Sequence, residues 1–418
     1  MFSTPENSVM HELLEGNGCN NNFHRLQFLF LLFFVLICQG CGSNIIRNTV
    51  PENLQNQVNV LDSADLRFIP YEVSEEFILS YTMKMMQQQT ESKLLYEDNG
   101  NTKPSYILAL SGGGEGGAFG AGILSGWTAT GTRPEFTVVT GISTGALIAP
   151  FAFLGSDYDW VLDDLYTETT AKQLVRRNGI FSIFRLDALY DTAPLRKLIA
   201  EYVTTETLQK ISLEHLKGRR LFIGTTNLDS LRTTIWDMGA IASSKHADSQ
   251  ELFRNIMLAS ASIPGVYPAV YINVHAEGKQ FDEMHVDGGT SSQVFVYPPE
   301  FKLKELSKQY NYNRERNLYV IFNSKLKPKG QVFKPGIRTI ARRSIKKLIN
   351  TQGIGDIYRI YLTSQRDKVN FNMTFIPTEI EKKSKEEFDT DYMQELFDYG
   401  YKHMINGYPW RQTLPGFE

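Results

Sequence analysis

Two glycine clusters, each entered from a short apolar run, constrain this chain more than any other feature. Tyr106 to Leu110 (YILAL) runs directly into SGGGEGGAFGAG, and Phe136 to Thr140 (FTVVT) runs into GISTG. After each cluster the pattern turns helical, over Ala118 to Trp127 and again over Ala146 to Leu154. Aliphatic runs bounded by glycine read as strands covered on both faces, and strands alternating with helices call for a mostly parallel sheet with helices on both faces. The expected fold class is therefore α/β. In such sheets the chemistry collects at the carboxyl ends of the strands, which is where both clusters fall.

The second cluster, Gly141-Ile142-Ser143-Thr144-Gly145, fits a nucleophile elbow. A serine hydroxyl attacks poorly unless a sharp strand-to-helix turn exposes it beside a base, and the flanking glycines let the backbone make that turn. The first cluster offers Gly112, Gly113 and Gly114 between a strand and a helix. Unhindered amides there converge on an anion, and the helix N-terminus adds a favourable partial charge. In acyl transfer that anion is the tetrahedral oxyanion. The rival reading is a dinucleotide phosphate held by Gly112, Gly114 and Gly117. That fingerprint expects an acid closing the next strand, whereas Glu135 precedes the strand and the serine elbow closes it. A phosphate P-loop is excluded because no Gly-Lys-Ser/Thr follows the glycines.

A nucleophilic serine needs a base. His215, His246, His275, His285 and His403 follow Ser143, and none opens an evident loop motif. A different feature is Met284-His285-Val286-Asp287-Gly288-Gly289, a strand-like run ending in Asp-Gly-Gly. An aspartate at a strand end before paired glycines projects freely towards a neighbouring site, although Asp-Gly is also an ordinary turn. His285 is an alternative base, two residues from Asp287 and so on the same face of a strand.

The glycine loop, Gly-x-Ser-x-Gly and Asp-Gly-Gly, in that order, resemble the patatin-like phospholipase family. Three further stretches are similar: Asp191 to Leu195 (DTAPL), Ala259 to Pro268 (ASASIPGVYP), and Phe388 to Gly400. The resemblance spans residues 104–405. It implies a patatin-like α/β fold with a Ser143–Asp287 dyad at the strand carboxyl ends and no histidine. It also implies an oxyanion hole of Gly112, Gly113 and Gly114, with turns made by Gly141, Gly145, Gly288 and Gly289. The implied activity is hydrolysis of fatty acyl esters in membrane lipids or lysolipids, without metal or cofactor. Two positions depart from the family pattern: Ser111 stands where Asp is usual, and Gly116 where Arg or Lys is usual.

Composition supplies the remaining bounds. At 418 residues, with 42% hydrophobic and 21% charged, the chain can bury a large core. A net charge of −3 gives nucleic acid no global field to exploit. All three cysteines, Cys19, Cys38 and Cys41, lie in the first tenth of the chain, which excludes a disulfide framework, a Cys-ligated zinc site and a thiol nucleophile in the body. Phe28 to Cys38 (FLFLLFFVLIC) is short for a membrane span and suits the core of a signal peptide. Gln39-Gly40-Cys41 follows, so the start resembles a bacterial lipoprotein signal, with cleavage before Cys41 and lipid attached to it. The expected organisation is a signal peptide over 1–40, a lipid-anchored tether and leading helix over 41–103, and the hydrolase domain over 104–410. Within the second part, residues 42–66 are polar, and Ser74 caps a helix striped by Phe77, Ile78, Tyr81 and Met85.

One local charge run stands out. Nine Lys or Arg and no acid lie between Lys325 and Lys347, and Arg338 to Ile349 (RTIARRSIKKLI) is amphipathic as a helix. An ordinary surface helix packed on the core has this pattern, and so has one resting on anionic lipid. The leading expectation is a membrane-tethered serine lipid acyl hydrolase. The alternatives are a lipid-binding lipoprotein of the same fold without catalysis, and an oxidoreductase holding a dinucleotide on the glycine loop.

Overall fold

In the computed structural model, residues 47–418 are described apart from 175, 178–187, 311, 328–329, 331, 381, 383, 385–387, 408–409 and 418. The leader and Cys41 lie outside the described residues. A mixed sheet organises the body. Its strands are β1 (Arg67–Phe68), β2 (Ser105–Leu110), β3 (Val138–Gly141), β4 (Arg220–Asn227), β5 (Arg232–Asp237), β6 (Val270–Ala276), β7 (Lys279–Asp287), β8 (Arg316–Phe322) and β9 (Asn370–Phe375). The order is β1-β5-β4-β3-β2-β8-β9, with β7 also on β4 and β6 on β7. From β9 to β4 the pairing is parallel, as the alternating pattern predicts. Beyond β4 every pairing is antiparallel, which the two glycine units do not announce.

β2 shows why its sequence is apolar throughout. Leu108 and Leu110 enter one core, and Ile107 and Ala109 enter a second on the opposite face. Helices cover both. The first core lies under α2 (Gly117–Ala129), α3 (Thr144–Leu154), α4 (Thr205–Leu216), α5 (Ser249–Ser260) and α7 (Thr390–Ile405), and the second under α6 (Ile337–Asp367), through Ile357 and Tyr361. α2 and α7 approach through glycine. A Cβ at Gly122 would overlap the Phe397 carbonyl oxygen, and one at Gly400 would come within 2.6 Å of the Phe119 carbonyl oxygen. This contact holds α2, and with it the glycine loop, against the C-terminal helix.

The topology also brings distant ends together. β3 pairs with one edge of β4 as far as Gly141 opposite Ile223, and β7 then takes up that edge with Asp287 opposite Thr225. β5 occupies the other edge. The two strands therefore run head to head, and their ends, Gly141 and Asp287, face one another across Gly224.

The leading helix forms as expected: α1 (Glu75–Glu91) starts at Ser74, whose Oγ accepts from the Phe77 amide at 3.1 Å. The tether does not hold as a free linker over its described part. Val50, Leu54, Val60 and Leu66 are buried in the first core, and Arg47 donates to both Asp229 oxygens at 2.8 and 2.7 Å and to Asp282 at 2.7 Å. Four aliphatics spread through polar sequence suffice to dock it, because each buried side chain contributes about 1.5–3 kcal/mol. The basic helix differs as well. Thr339 to Leu348 lie exposed rather than on the core wherever their side chains are described.

Candidate active site

Ser143 sits between β3 and α3 with φ 54° and ψ −123°, a region that costs a non-glycine residue energy. The surroundings hold it there. Its amide donates to Ser260 Oγ at 3.0 Å, and Ser260 Oγ donates on to the Gly224 carbonyl at 2.7 Å. Gly141 and Gly145 are required by close approach: a Cβ at Gly145 would overlap the Leu110 carbonyl, and one at Gly141 the Gly145 carbonyl. The elbow is thus packed flat against the end of β2.

From this turn the Ser143 Oγ–H donates to Asp287 Oδ2 at 2.7 Å. Both side chains are buried. The other Asp287 oxygen accepts the Gly289 amide at 2.7 Å, so each carboxylate oxygen has one donor. Gly288 lies against the Gly224 carbonyl, too close for any side chain. Burial pushes the Asp287 carboxyl up to about 7, with the Ser143 and Gly289 hydrogen bonds pulling it down. A carboxylate poised near neutrality can accept a proton from serine far better than one at its ordinary 3.8.

The glycine loop abuts this pair. A Cβ at Gly112 would fall 3.1 Å from Ser143 Cβ and 2.5 Å from Gln293 Oε1. One expectation needs correction here. The Gly112 amide already donates to the Gln293 carbonyl at 2.9 Å, so it is not free for an oxyanion. Gly113 is exposed and Gly114 half-buried, and neither amide has an acceptor among the described residues. The Thr144 amide, first in α3, likewise has none. Nothing local in the sequence marks Gln293, because one Gln in an ordinary context carries no signal, whereas Ser260 lies in the family-like Ala259 to Pro268 stretch without a role assigned to it there.

Residues 108–298 match the family model described as patatin-like phospholipase. The chain carries a patatin-like phospholipase domain. Similar solved structures are VipD from Legionella pneumophila, 12% identical, covering 75% of this chain and 69% of that one at a TM-score of 0.31; the type III effector protein ExoU, 11% identical, covering 72% and 53% at 0.30; and human GIVD cytosolic phospholipase A2, 11% identical, covering 61% and 48% at 0.25. The chain spans about half the length of the last two. No curated protein sequence matches the chain. The match of residues 108–298 to the patatin-like phospholipase model supports a lipid hydrolase.

Within the patatin-like domain both departures from the family pattern have a physical account. Ser111 Oγ accepts from the Asn323 amide at 2.8 Å and donates to the Gly112 carbonyl at 2.7 Å, tying the loop to the end of β8. At Gly116 a Cβ would overlap the Asn323 carbonyl oxygen, so no arginine fits.

His285 shares a strand face with Asp287, as the spacing predicts, but it is occupied elsewhere. Trp236 Nε1 donates to Thr225 Oγ1 at 2.8 Å, so the Thr225 proton goes to His285 Nδ1 at 2.9 Å. The remaining Nε2–H donates to Glu283 at 3.2 Å, which is also paired with Arg67. Burial lowers the His285 pKa, opposed by Glu283. No histidine is hydrogen-bonded to Ser143 among the described residues. No group of three or more His, Cys, Asp or Glu among them could hold a metal ion.

An apolar pocket flanks the elbow helix. Its lining includes Thr144, next to Ser143 in the chain, with Leu147, Leu165, Leu198, Ile199 and Met393.

Proposed function

We propose that the patatin-like domain is a serine lipid acyl hydrolase of the phospholipase A or lysophospholipase type, acting through an acyl-enzyme on Ser143. The observation that carries this is the direct 2.7 Å hydrogen bond from Ser143 Oγ to Asp287 Oδ2 at a strained elbow. Ser143 Oγ attacks the ester carbonyl carbon while its proton passes to Asp287 Oδ2. The carbonyl oxygen becomes an oxyanion held by the Gly113 and Gly114 amides, each such donor being worth about 3–4 kcal/mol. Gly112 has a positioning role, its amide held by the Gln293 carbonyl beside the elbow. Collapse breaks the ester bond, and the departing alcohol takes the proton from Asp287. Water then gives a proton to Asp287, attacks the acyl-enzyme and releases the fatty acid, and the proton returns to Ser143. The apolar pocket beside α3 suits the acyl chain.

A fluorophosphonate probe tests the assignment. The purified protein should become labelled and should hydrolyse acyl esters, and Ser143→Ala should lose both. Labelling that survives in Ser143→Ala would place the nucleophile elsewhere, and a wild type inert in both assays would point to the non-catalytic lipid-binding alternative.

The leader supports export, and the mature protein is read as a lipoprotein of the bacterial cell envelope anchored at Cys41. The membrane-fraction protein should then carry the added mass of a lipid group, absent in Cys41→Ser. An unmodified cysteine in the mature wild type would remove the anchor.

A further inference from the structure

α6 is one helix with two different halves. Towards its C-terminus Ile357 and Tyr361 enter a core, and Asp356, Ser364 and Asp367 are buried. Towards its N-terminus the helix leaves the body. Ile340, Ile345 and Leu348 are 48%, 44% and 70% exposed, and in the preceding segment Val332 is fully exposed and Phe333 43% exposed. Large aliphatics left in water at such density are unfavourable unless a partner covers them.

The charges on this half choose between partners. Arg338, Arg342, Arg343, Lys346 and Lys347 fall within ten residues, with no acid. Arg343 lies over the Phe333 ring at 4.4 Å. A second copy docked through the same face would bring ten cations together, which is repulsive. An anionic lipid surface offers both complements at once: an apolar layer for the aliphatics and negative headgroups for the flanking cations.

Position adds a further argument, because the buried part of α6 begins against the segment that follows Asp287. Gln352 donates to the Ser291 carbonyl, and Gly353 lies against the Gln293 side chain, which itself abuts Gly112 and Gly289. Lys346 acts on Glu115 of the glycine loop, whose carboxyl is pushed up by burial and drawn down by Ser384 and Lys346. At about 1.5 Å rise per residue, Leu348 stands only about 7–8 Å along the axis from Gly353.

We propose that residues 337–348 form an interfacial docking helix that seats the mouth of the active site on an anionic lipid surface. The choice of partner rests on the lipid-hydrolase reading, so the test uses Ser143→Ala protein, in which binding is measured without turnover. The leader and any lipid on Cys41 are common to all variants and cancel in the comparison.

The full chain is sedimented with vesicles of phosphatidylcholine alone or with about 30% phosphatidylglycerol. Binding should require the anionic lipid and weaken as NaCl rises from about 0.1 to 0.5 M. Arg343→Glu with Lys347→Glu, and separately Ile345→Glu with Leu348→Glu, should each weaken it about tenfold or more. Leu348→Trp should show a blue-shifted emission on adding anionic vesicles, which reports insertion without depending on a disruptive variant. Unchanged binding by both double variants, or an unshifted tryptophan, overturns the proposal. So does dimerisation abolished by Ile345→Glu with Leu348→Glu, which would make the face a self-interface. Loss of hydrolysis in the wild type with anionic binding intact would instead count against the catalytic reading alone.

Discussion

The burial that would prepare Asp287 as the base of the proposed mechanism also costs stability, and the two effects are separable by pH. Its carboxyl ordinarily ionises near 3.8 and is raised to about 7 in the fold. Between those values the native chain retains a proton that the unfolded chain has released, so stability falls as pH rises through that window. Above 7 the penalty is complete. Asp287→Asn should therefore be more stable than wild type at pH 8, by up to about 4 kcal/mol, with the gain vanishing towards pH 4. Denaturant midpoints across that range read the difference, and a gain largest at pH 4 would contradict it. The matching kinetic expectation is a kcat/KM for an uncharged ester that rises with pH around 7 as the base ionises. At this scale the glycine-marked turns singled out Ser143 and Asp287 as candidates, and the family resemblance supplied their proposed roles. It could not find Gln293, whose carbonyl takes the Gly112 amide, since that bond links residues far apart in the chain.

Among elements, the α2–α7 contact governs whether the glycine loop stays in place. Gly122 and Gly400 let the helices meet backbone to backbone. Gly122→Val would force them apart and should cost about 3 kcal/mol, within the range for overpacked sites, lowering the melting temperature. A melting temperature equal to wild type would show that the helices can move apart freely. Helices and strands adjoining the glycine clusters were legible because their periodicity is strong and their boundaries are marked. The state of α6 was not. An amphipathic pattern declares that a face is apolar, but the same residues serve whether that face meets the core or lies open, and only the path of the helix beyond Gly353 decides between them.

For the whole molecule, the central contrast is between local and long-range information. Residues 42–66 look like a linker by composition, yet Val50, Leu54, Val60 and Leu66 pack into the core and Arg47 bridges Asp229 and Asp282. Irregularly spaced single aliphatics leave no period to detect, so docking emerges only when the surface that receives them exists. The sheet teaches the same lesson. Parallel β2 and β3 follow from adjacent strand–turn–helix units, whereas the antiparallel return of β7 depends on strand partners unmarked by local pattern. The sequence by itself determined the α/β class, the serine elbow, the aspartate turn and the glycine loop, because backbone sterics and apolar periodicity act over a few residues. The tertiary structure alone decided that β3 and β7 meet head to head on one edge of β4. That meeting brings a serine and an aspartate 144 residues apart to 2.7 Å, and it buries them both and raises the aspartate to about 7, while His285 is bonded to Thr225 and Glu283 instead.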